Sequence, residues 1–255
     1  MPVQNVAVKV VVTPVLVGGA SLAGRRFGHH IGGWLVALPM TSGPVAFFLA
    51  SDRGVSFASG AAIGMLAGTA SQVAFALAYG ATARYGAARA FSVGTLAFAV
   101  ATLALSFLHW RAFPTFALVA VVLAVGFVVT RRRPAGLPTE ATDLPRWDIP
   151  VRMVAATSMV VLITTLAPHL GPHLAGLLSP FPVFGAVLAI FTHHAHGSRA
   201  ATQALDGLVL GLAAPAVFFL ALAVVLPSAG LAAFAIATAS ALIAQGLTML
   251  AIPRD

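Results

Sequence analysis

Apolar runs about as long as a bilayer is thick restrict the fold of this chain more than any other feature. A helix of about 20 apolar residues crosses the hydrocarbon core of a membrane. Nine segments qualify: residues 5–24, 30–50, 56–80, 88–109, 113–130, 150–168, 174–193, 201–226 and 229–252. Only 8% of the residues are charged, against about 25% in soluble domains. The sequence therefore predicts an all-α integral membrane protein with about nine transmembrane helices.

The distribution of positive charge predicts the topology. If the N-terminus lies outside, only Lys9, Arg53 and Arg111 of the 14 basic residues face the outside. The remaining arginines then face the cytoplasm: Arg25, Arg26, Arg84, Arg89, Arg131, Arg132, Arg133, Arg146, Arg152, Arg199 and Arg254. Cytoplasmic loops carry the excess of Lys and Arg, which predicts N-outside and C-inside. The net charge of +8 is explained by these loops, so we expect no nucleic-acid binding.

Much of the second half of the chain matches the first half at one constant offset, without a gap. The matches include Gly28 with Gly171, His30 with His173, Pro39 with Pro182, Gly54 with Gly197, Gly64 with Gly207, Gly68 with Gly211, Phe75 with Phe218 and Phe91 with Phe234. Lys9 falls on Arg152, which keeps the charge. Matched Gly, Pro, His and Phe are harder to obtain by chance than matched Ala and Leu. We therefore predict an internal duplication.

The duplication divides the chain into two four-span repeats, 1–110 and 150–255. Residues 111–149 supply an extra linking span and a polar cytoplasmic loop. Five crossings separate equivalent points, so the second repeat is expected to be inverted relative to the first. Inverted repeats are typical of secondary transporters, whose substrate sites lie near the midplane on broken helices.

Two proline-containing stretches predict such broken helices, LVALPMTSGP around Pro39 and LLSPFPVFGA around Pro182. A proline removes a backbone donor and interrupts a helix, and in a membrane such breaks are tolerated where protein or a water-filled cavity covers them. Thr41 and Ser42 offer hydroxyls beside the first break, and Gln72 lies deep in the following span. We predict that these five residues bind substrate. The alternatives are packing kinks and, for Gln72, a bridge between helices.

The second half resembles a known family. VRMVAAT opens a span, HLAGLLSPFPVFGAVLAIF follows, and a short polar turn ends at Gly197. From Arg152 to about Ala204 this resembles GlpM, a family of small four-span bacterial inner-membrane proteins. The first half fits more loosely through VKVVVT, GGWLVALPM and SDRG, with Leu38-Pro39 in place of Phe-Pro. The resemblance implies a fused tandem of two GlpM-like units, a multi-pass location in the bacterial inner membrane, and a role near alginate exopolysaccharide production.

Charged residues inside spans are rare and usually functional. Lys9 and Arg152 stand one to two turns into the first span of each repeat, and we predict a pair of anion contacts. The alternative is snorkelling of these long side chains to the interface.

Asp206 is the one acid well inside a predicted span. A carboxyl group away from water can bind and release protons, which makes it the candidate for proton coupling. Alternatively, Asp206 is hydrated or paired with Arg199.

Histidines add two expectations. His30 and His173 are equivalent in the two repeats and precede the broken spans, so we place them with Asp206 in proton coupling; interface anchoring is the alternative. The cluster THHAHG at 192–197 has no acid near it in sequence. We expect hydrated surface histidines there, and neither a metal site nor a cofactor.

Small residues and arginine runs are expected to be structural. Gly64-x-x-x-Gly68 and Gly207-x-x-x-Gly211 permit close helix packing where the two halves meet. The arginine run at 131–133 is expected to set topology and to contact anionic lipids.

These features support two functions. The first is a secondary transporter or lipid-carrier flippase for a small anionic or phosphate-bearing substrate. The second is a non-transporting accessory protein of exopolysaccharide or envelope assembly. An enzyme is not expected, because the sequence shows no nucleophile–base set and no metal constellation; it also has no cysteine. Membrane lipids are the expected partners, and a homodimer is left open.

Overall fold

A computed structural model of the protein describes residues 9–15, 18, 39–108, 111–133 and 147–249. Within these ranges the regular structure is entirely helical, with no strand. Residues 9–15 form a helical segment. The further helices are α1 (Ser42–Arg53), α2 (Val55–Thr82), α3 (Ala87–Ser106), α4 (Ala112–Arg131), α5 (Asp148–Leu178), α6 (Val183–Gly211), α7 (Ala213–Ala229) and α8 (Ala233–Met249). Short 3₁₀ turns, Ala83–Tyr85 and Gly230–Ala232, precede α3 and α8.

The described helices have the length and surface of a membrane protein. Five helical stretches are apolar enough to cross a membrane: Val55–Tyr85, Ala87–Ser106, Ala112–Arg131, Ile149–Leu178 and Val183–Thr248. The last stretch runs through α6, α7 and α8. On α4, Val119 is fully buried whereas Val121 is 62% exposed, so one narrow stripe packs inward and the rest suits contact with lipid. The predicted span 5–24 lies mainly outside the described residues, and of span 30–50 the described part, residues 39–50, has its helix starting only at Ser42.

Helix α2 is the centre of the fold and packs against α1, α3, α4, α5, α6 and α7. Its sequence is rich in Ala and Gly, and small residues let helix backbones approach closely in lipid. A Cβ on Gly64 would lie 2.5 Å from the His173 carbonyl oxygen, and one on Gly68 would lie 2.7 Å from that of Leu177. These two glycines of the first half therefore meet α5 of the second half, where the sequence predicted close packing.

Glycines interrupt the helices at corresponding places. Gly54 separates α1 from α2 with φ 87° and ψ 167°. Gly197 lies inside α6 with φ 82° and ψ −179°. Residues with a Cβ rarely adopt this conformation, so each glycine permits a bend that another residue would resist. The two positions are equivalent in the two repeats.

Two predicted spans are not continuous helices. Within 174–193, α5 ends at Leu178 and α6 begins at Val183. Within 201–226, α6 ends at Gly211 and α7 begins at Ala213. Apolar composition continues through both interruptions, so hydropathy alone does not reveal them, although Pro182 indicates the first.

Candidate functional site: a cavity between two helix breaks

The segment that begins at Pro39 and the helix break at Pro182 meet at one small cavity. Its walls come from residues 39–42, from Gln72 on α2, from residues 179–185, and from Leu208 and Pro215. Its volume is about 20 Å³, whereas a water molecule needs roughly 10–15 Å³. In this conformation the cavity therefore has room for about one water.

The break at Pro182 is a tight turn followed by a new helix. Pro182 has φ −78° and ψ 61°, and the Val183 N–H donates to the Phe181 carbonyl over 2.7 Å. This is an inverse γ-turn. The Pro182 carbonyl then accepts from the Ala186 N–H, also over 2.7 Å. The chain thus changes direction at the proline and enters α6 immediately.

A helix starts after Pro39 in the same way as after Pro182. The Pro39 carbonyl accepts from the Gly43 N–H over 2.7 Å, and the repeat alignment places this bond on the Pro182–Ala186 bond. Pro44 has no N–H, so the Met40 carbonyl has no donor four residues further on. The Met40 carbonyl, which belongs to the segment lining the cavity, therefore takes no part in the regular hydrogen bonding of the helix.

Three polar side chains of the cavity are available to a bound molecule. Thr41 and Ser42 are both 7% exposed, and Gln72 is half-buried. Within the described part of the chain these three side chains make no hydrogen bond. By contrast, the Ser179 hydroxyl donates to the Ala175 carbonyl over 2.6 Å. The cavity therefore offers two hydroxyls and one amide, and the predicted residues Pro39, Thr41, Ser42, Gln72 and Pro182 all line it.

Aromatic packing holds the second break in place. The Phe181 ring lies 5.2 Å from that of Phe98 and 6.2 Å from that of Phe75, edge to face in both pairs. Such pairs add about 0.5–1.5 kcal/mol beyond the area they bury. Phe75 stands out in the sequence only as a repeat match, and Phe98 does not stand out, because nothing local in the sequence indicates which ring Phe181 meets.

Lys9 and Arg152 are both buried, at 5% and 4% exposure, but neither lines the cavity. The Lys9 ammonium donates to the Asp52 carboxylate over 2.7 Å and to the Thr164 hydroxyl over 3.1 Å. Lys9 therefore ties the 9–15 segment to α1 and α5, and its charge is balanced within the protein. Lys9 does not line the cavity, and its predicted contact with an anion stays a prediction. Asp52 stands in the stretch SDRG, where nothing local in the sequence indicates Lys9 as its partner.

Asp206 is paired with a residue other than the one considered from the sequence. The Arg133 Nη1 donates to Asp206 Oδ1 over 2.6 Å, whereas Arg199 is exposed. The guanidinium lies against Gly80 of α2, where a Cβ would be 2.9 Å from Nη2. Arg133 thus has a partner inside the protein in addition to the roles in topology and lipid contact predicted for the arginine run. Asp206 does not line the cavity.

None of the histidines that the structure describes lines the cavity. His173 lies in α5, shortly after the non-helical Gly171, and is not part of the cavity wall; His30 lies outside the described residues. His193 Nδ1 is 3.3 Å from the Tyr79 hydroxyl. Across the described ranges, no three His, Cys, Asp or Glu side chains lie close enough to hold a metal ion.

Comparisons of the chain with protein-family models, with curated proteins and with solved structures give no match. The resemblance to GlpM stays a prediction from the residues quoted above. Function is therefore argued from the cavity and its surroundings.

Proposed function

We propose that the protein is an alternating-access membrane transporter whose substrate site is the cavity between the breaks at Pro39 and Pro182. One observation carries this proposal: two proline-containing segments that lead into helices, one from each half of the chain, line the same cavity, together with hydrogen-bonding side chains that have no partner among the described residues. Polar groups held away from water without hydrogen-bond partners cost free energy, which favours a role in binding.

Inverted repeats are part of the proposal. The Pro39–Gly43 and Pro182–Ala186 backbone bonds have equal lengths, and Gly54 and Gly197 share one unusual conformation. Equal local structure at positions that the repeat alignment pairs supports a duplication. We propose two inverted four-span repeats joined by α4, nine spans in all, in the bacterial inner membrane. Transporters built in this way place their sites on discontinuous helices at the repeat interface.

Transport through this site requires movement, because a cavity of about 20 Å³ excludes any substrate much larger than water. Helix α1 and the first part of α6, residues 183–196, each run from a proline break to a positive-φ glycine. Gly54 and Gly197 are suited to act as hinges, since hinges are a few positions that absorb a backbone change. Rocking of these short helices about the glycines would open the cavity.

The proposed substrate carries a small polar group. No charged side chain is among the described residues of the cavity wall, so recognition depends on Thr41, Ser42 and Gln72. The anionic class predicted from Lys9 and Arg152 receives no support from their positions. The polar group belongs either to a free solute or to the headgroup of a lipid carrier.

The accessory function is the second candidate, and the small cavity volume favours it. A protein that only holds an envelope assembly together needs a closely packed, dry interior. The backbone contacts of Gly64 and Gly68 with α5 fit such an interior equally well.

Cysteine accessibility separates the two functions, because the chain has no cysteine of its own. Ser42→Cys and Val183→Cys place a thiol on each break. Val121→Cys on the exposed face of α4 is the lipid-facing control, and Pro2→Cys and Asp255→Cys report the two sides. Each is labelled with membrane-impermeant reagents from either side. Transport predicts labelling of both break positions from both sides, with the preferred side changing with pH. Inertness from both sides, equal to that of Val121→Cys, would establish a dry interior and the accessory function.

A further inference from the structure

The polar cavity adjoins a larger apolar groove. The groove has a volume of about 390 Å³ and shares Pro39 and Met40 with the cavity. Phe47, Phe218 and Phe234 are among its walls. The cavity and the groove therefore lie side by side, and together they make up a depression with a polar end and an apolar end that share the wall at Pro39 and Met40.

We infer that this depression binds an amphipathic lipid, with one hydrocarbon chain in the groove and the polar headgroup at Thr41, Ser42 and Gln72. The inference rests on the proposed function and names its substrate class. It favours the headgroup of a lipid carrier over a free solute.

The composition and the exposure of the groove indicate a hydrocarbon occupant. Among the described residues its wall has no charged side chain, and the hydroxyl of Thr238 already donates to the Phe234 carbonyl over 2.7 Å. Phe47 is 42% exposed and Leu242 is 56% exposed, so the groove opens to the outer surface of the helices. In a bilayer that surface meets hydrocarbon chains. The volume lies within the roughly 300–1,000 Å³ of ligand sites.

In the other half of the chain, an aromatic ring already packs at the positions equivalent to two phenylalanines of the groove. Phe75 and Phe91 are the repeat equivalents of Phe218 and Phe234. The Phe181 ring packs against Phe75 at 6.2 Å and occupies that place. The residue equivalent to Phe181 is Leu38, which lies outside the described residues. The repeat alignment therefore makes Leu38 the competing candidate for the groove.

An amphipathic lipid accounts for a polar cavity that lies next to an apolar groove. A hydrocarbon chain alone needs no hydroxyl, and a free solute needs no apolar groove. Thr41 and Ser42 begin α1, and Gly43, the next residue, lines the groove. A lipid whose headgroup reaches the hydroxyls would therefore start its chain directly at the groove.

A tryptophan reporter tests this inference. Trp34, Trp110 and Trp147 are replaced by Phe, and Phe47→Trp is introduced as the reporter, with Val121→Trp as the matched control on α4. A brominated alkyl phosphate and an alkyl glucoside with the same brominated chain are titrated in detergent micelles. We expect saturable quenching at Phe47→Trp and only weak, non-saturating quenching at Val121→Trp. Whichever of the two probes, phosphate or glucoside, binds more tightly identifies the headgroup chemistry that the site prefers.

Two further variants locate the lipid. Gly43→Leu fills the groove, because a Cβ there would make only ordinary 3.9 Å contacts with Phe218 and Pro39; saturable quenching should disappear. Ser42→Ala should weaken binding of the headgroup probes about 3- to 10-fold, the loss of one hydrogen bond, and leave quenching by a brominated alkane unchanged. Equal, non-saturating quenching at both reporters would overturn the inference in favour of boundary lipid or Leu38 in the groove.

The outcomes also separate this inference from the proposed function. If lipid binding is saturable but the cysteines at positions 42 and 183 are not labelled, the lipid site is supported and the transport function is contradicted. Cysteines that change their accessible side without saturable lipid binding would leave a transporter for a free solute and overturn the lipid site.

Discussion

Arg133 and Asp206 come from distant parts of the sequence and form an ion pair over 2.6 Å. Arg133 lies just beyond the end of α4, and Asp206 lies within α6. The second guanidinium nitrogen is 3.4 Å from the Leu77 carbonyl of α2. The pair thus fastens the linking helix to both the central helix and the second half of the chain.

A double-mutant cycle measures this connection. Arg133→Gln and Asp206→Asn should each lower the free energy of unfolding by about 1–3 kcal/mol, between the values of surface and buried pairs, because the side chains are 22% and 19% exposed. The double variant should lose less than the sum of the two. Apparent Tm in detergent is the measurement. Arg199→Gln is the control, and a cost equal to that of Arg133→Gln would contradict the pairing.

Close packing at Gly64 gives a second prediction. Gly64→Ala should destabilise the protein by about 1–3 kcal/mol, because the new methyl group would meet backbone atoms of α5 that cannot move independently. Gly246→Ala on α8 is the matched control, since a Cβ there meets nothing within 4 Å. The control should be neutral or stabilising by up to about 1 kcal/mol. Comparing the apparent Tm of the two variants separates the steric cost of a methyl group at position 64 from the effect of replacing any helical glycine by alanine.

The positive-φ glycines give a third prediction. Gly54→Ala and Gly197→Ala should each cost about 1–3 kcal/mol through backbone conformation alone, because a Cβ at either position meets nothing within 4 Å. Equal costs are expected from their equal conformations, again measured as apparent Tm. If both variants unfold like the natural protein, the helices continue through these positions without the bend.

Gln72 gives a fourth prediction, which separates binding from stability. Gln72→Leu should leave the free energy of unfolding unchanged or raise it, because no hydrogen bond of the described chain is lost. The same variant should weaken saturable binding of the brominated alkyl phosphate. Thr102→Val is the contrast, since Thr102 donates to the Ser71 hydroxyl over 2.9 Å; it should lose about 0.6–1.7 kcal/mol. Destabilisation by Gln72→Leu equal to that of Thr102→Val would show that Gln72 only bridges helices.

Lys9 gives the fifth prediction. Lys9→Met removes the ammonium group that pairs with the Asp52 carboxylate and should cost about 1–3 kcal/mol, between the values of surface and buried pairs, because the Asp52 side chain is 19% exposed. Lys9→Met/Asp52→Asn should recover much of that loss in thermal unfolding. Binding of the brominated alkyl phosphate by the double variant should match that of the natural protein, because Lys9 does not line the cavity. Loss of binding with recovered stability would restore the anion-contact hypothesis.

The cavity shows what a local pattern can predict. Pro39 and Pro182 act on their own backbone, so their positions alone predict where helical bonding fails. The three polar residues expected at the breaks, Thr41, Ser42 and Gln72, do lie there. Their predicted role in binding remains a hypothesis, because position does not establish what the cavity holds.

The sequence by itself determined that this protein is helical and suited to a membrane, because hydropathy and proline chemistry act within a single segment. Only the tertiary structure decided which partners meet across long separations: Asp206 with Arg133 rather than Arg199, and Lys9 with Asp52. The same is true of the groove, since Phe47 and Phe234 come together, 5.4 Å apart, only when α1 packs beside α8. The physical reason is that helix packing selects contacts by shape and distance across the whole bundle, which no local pattern encodes.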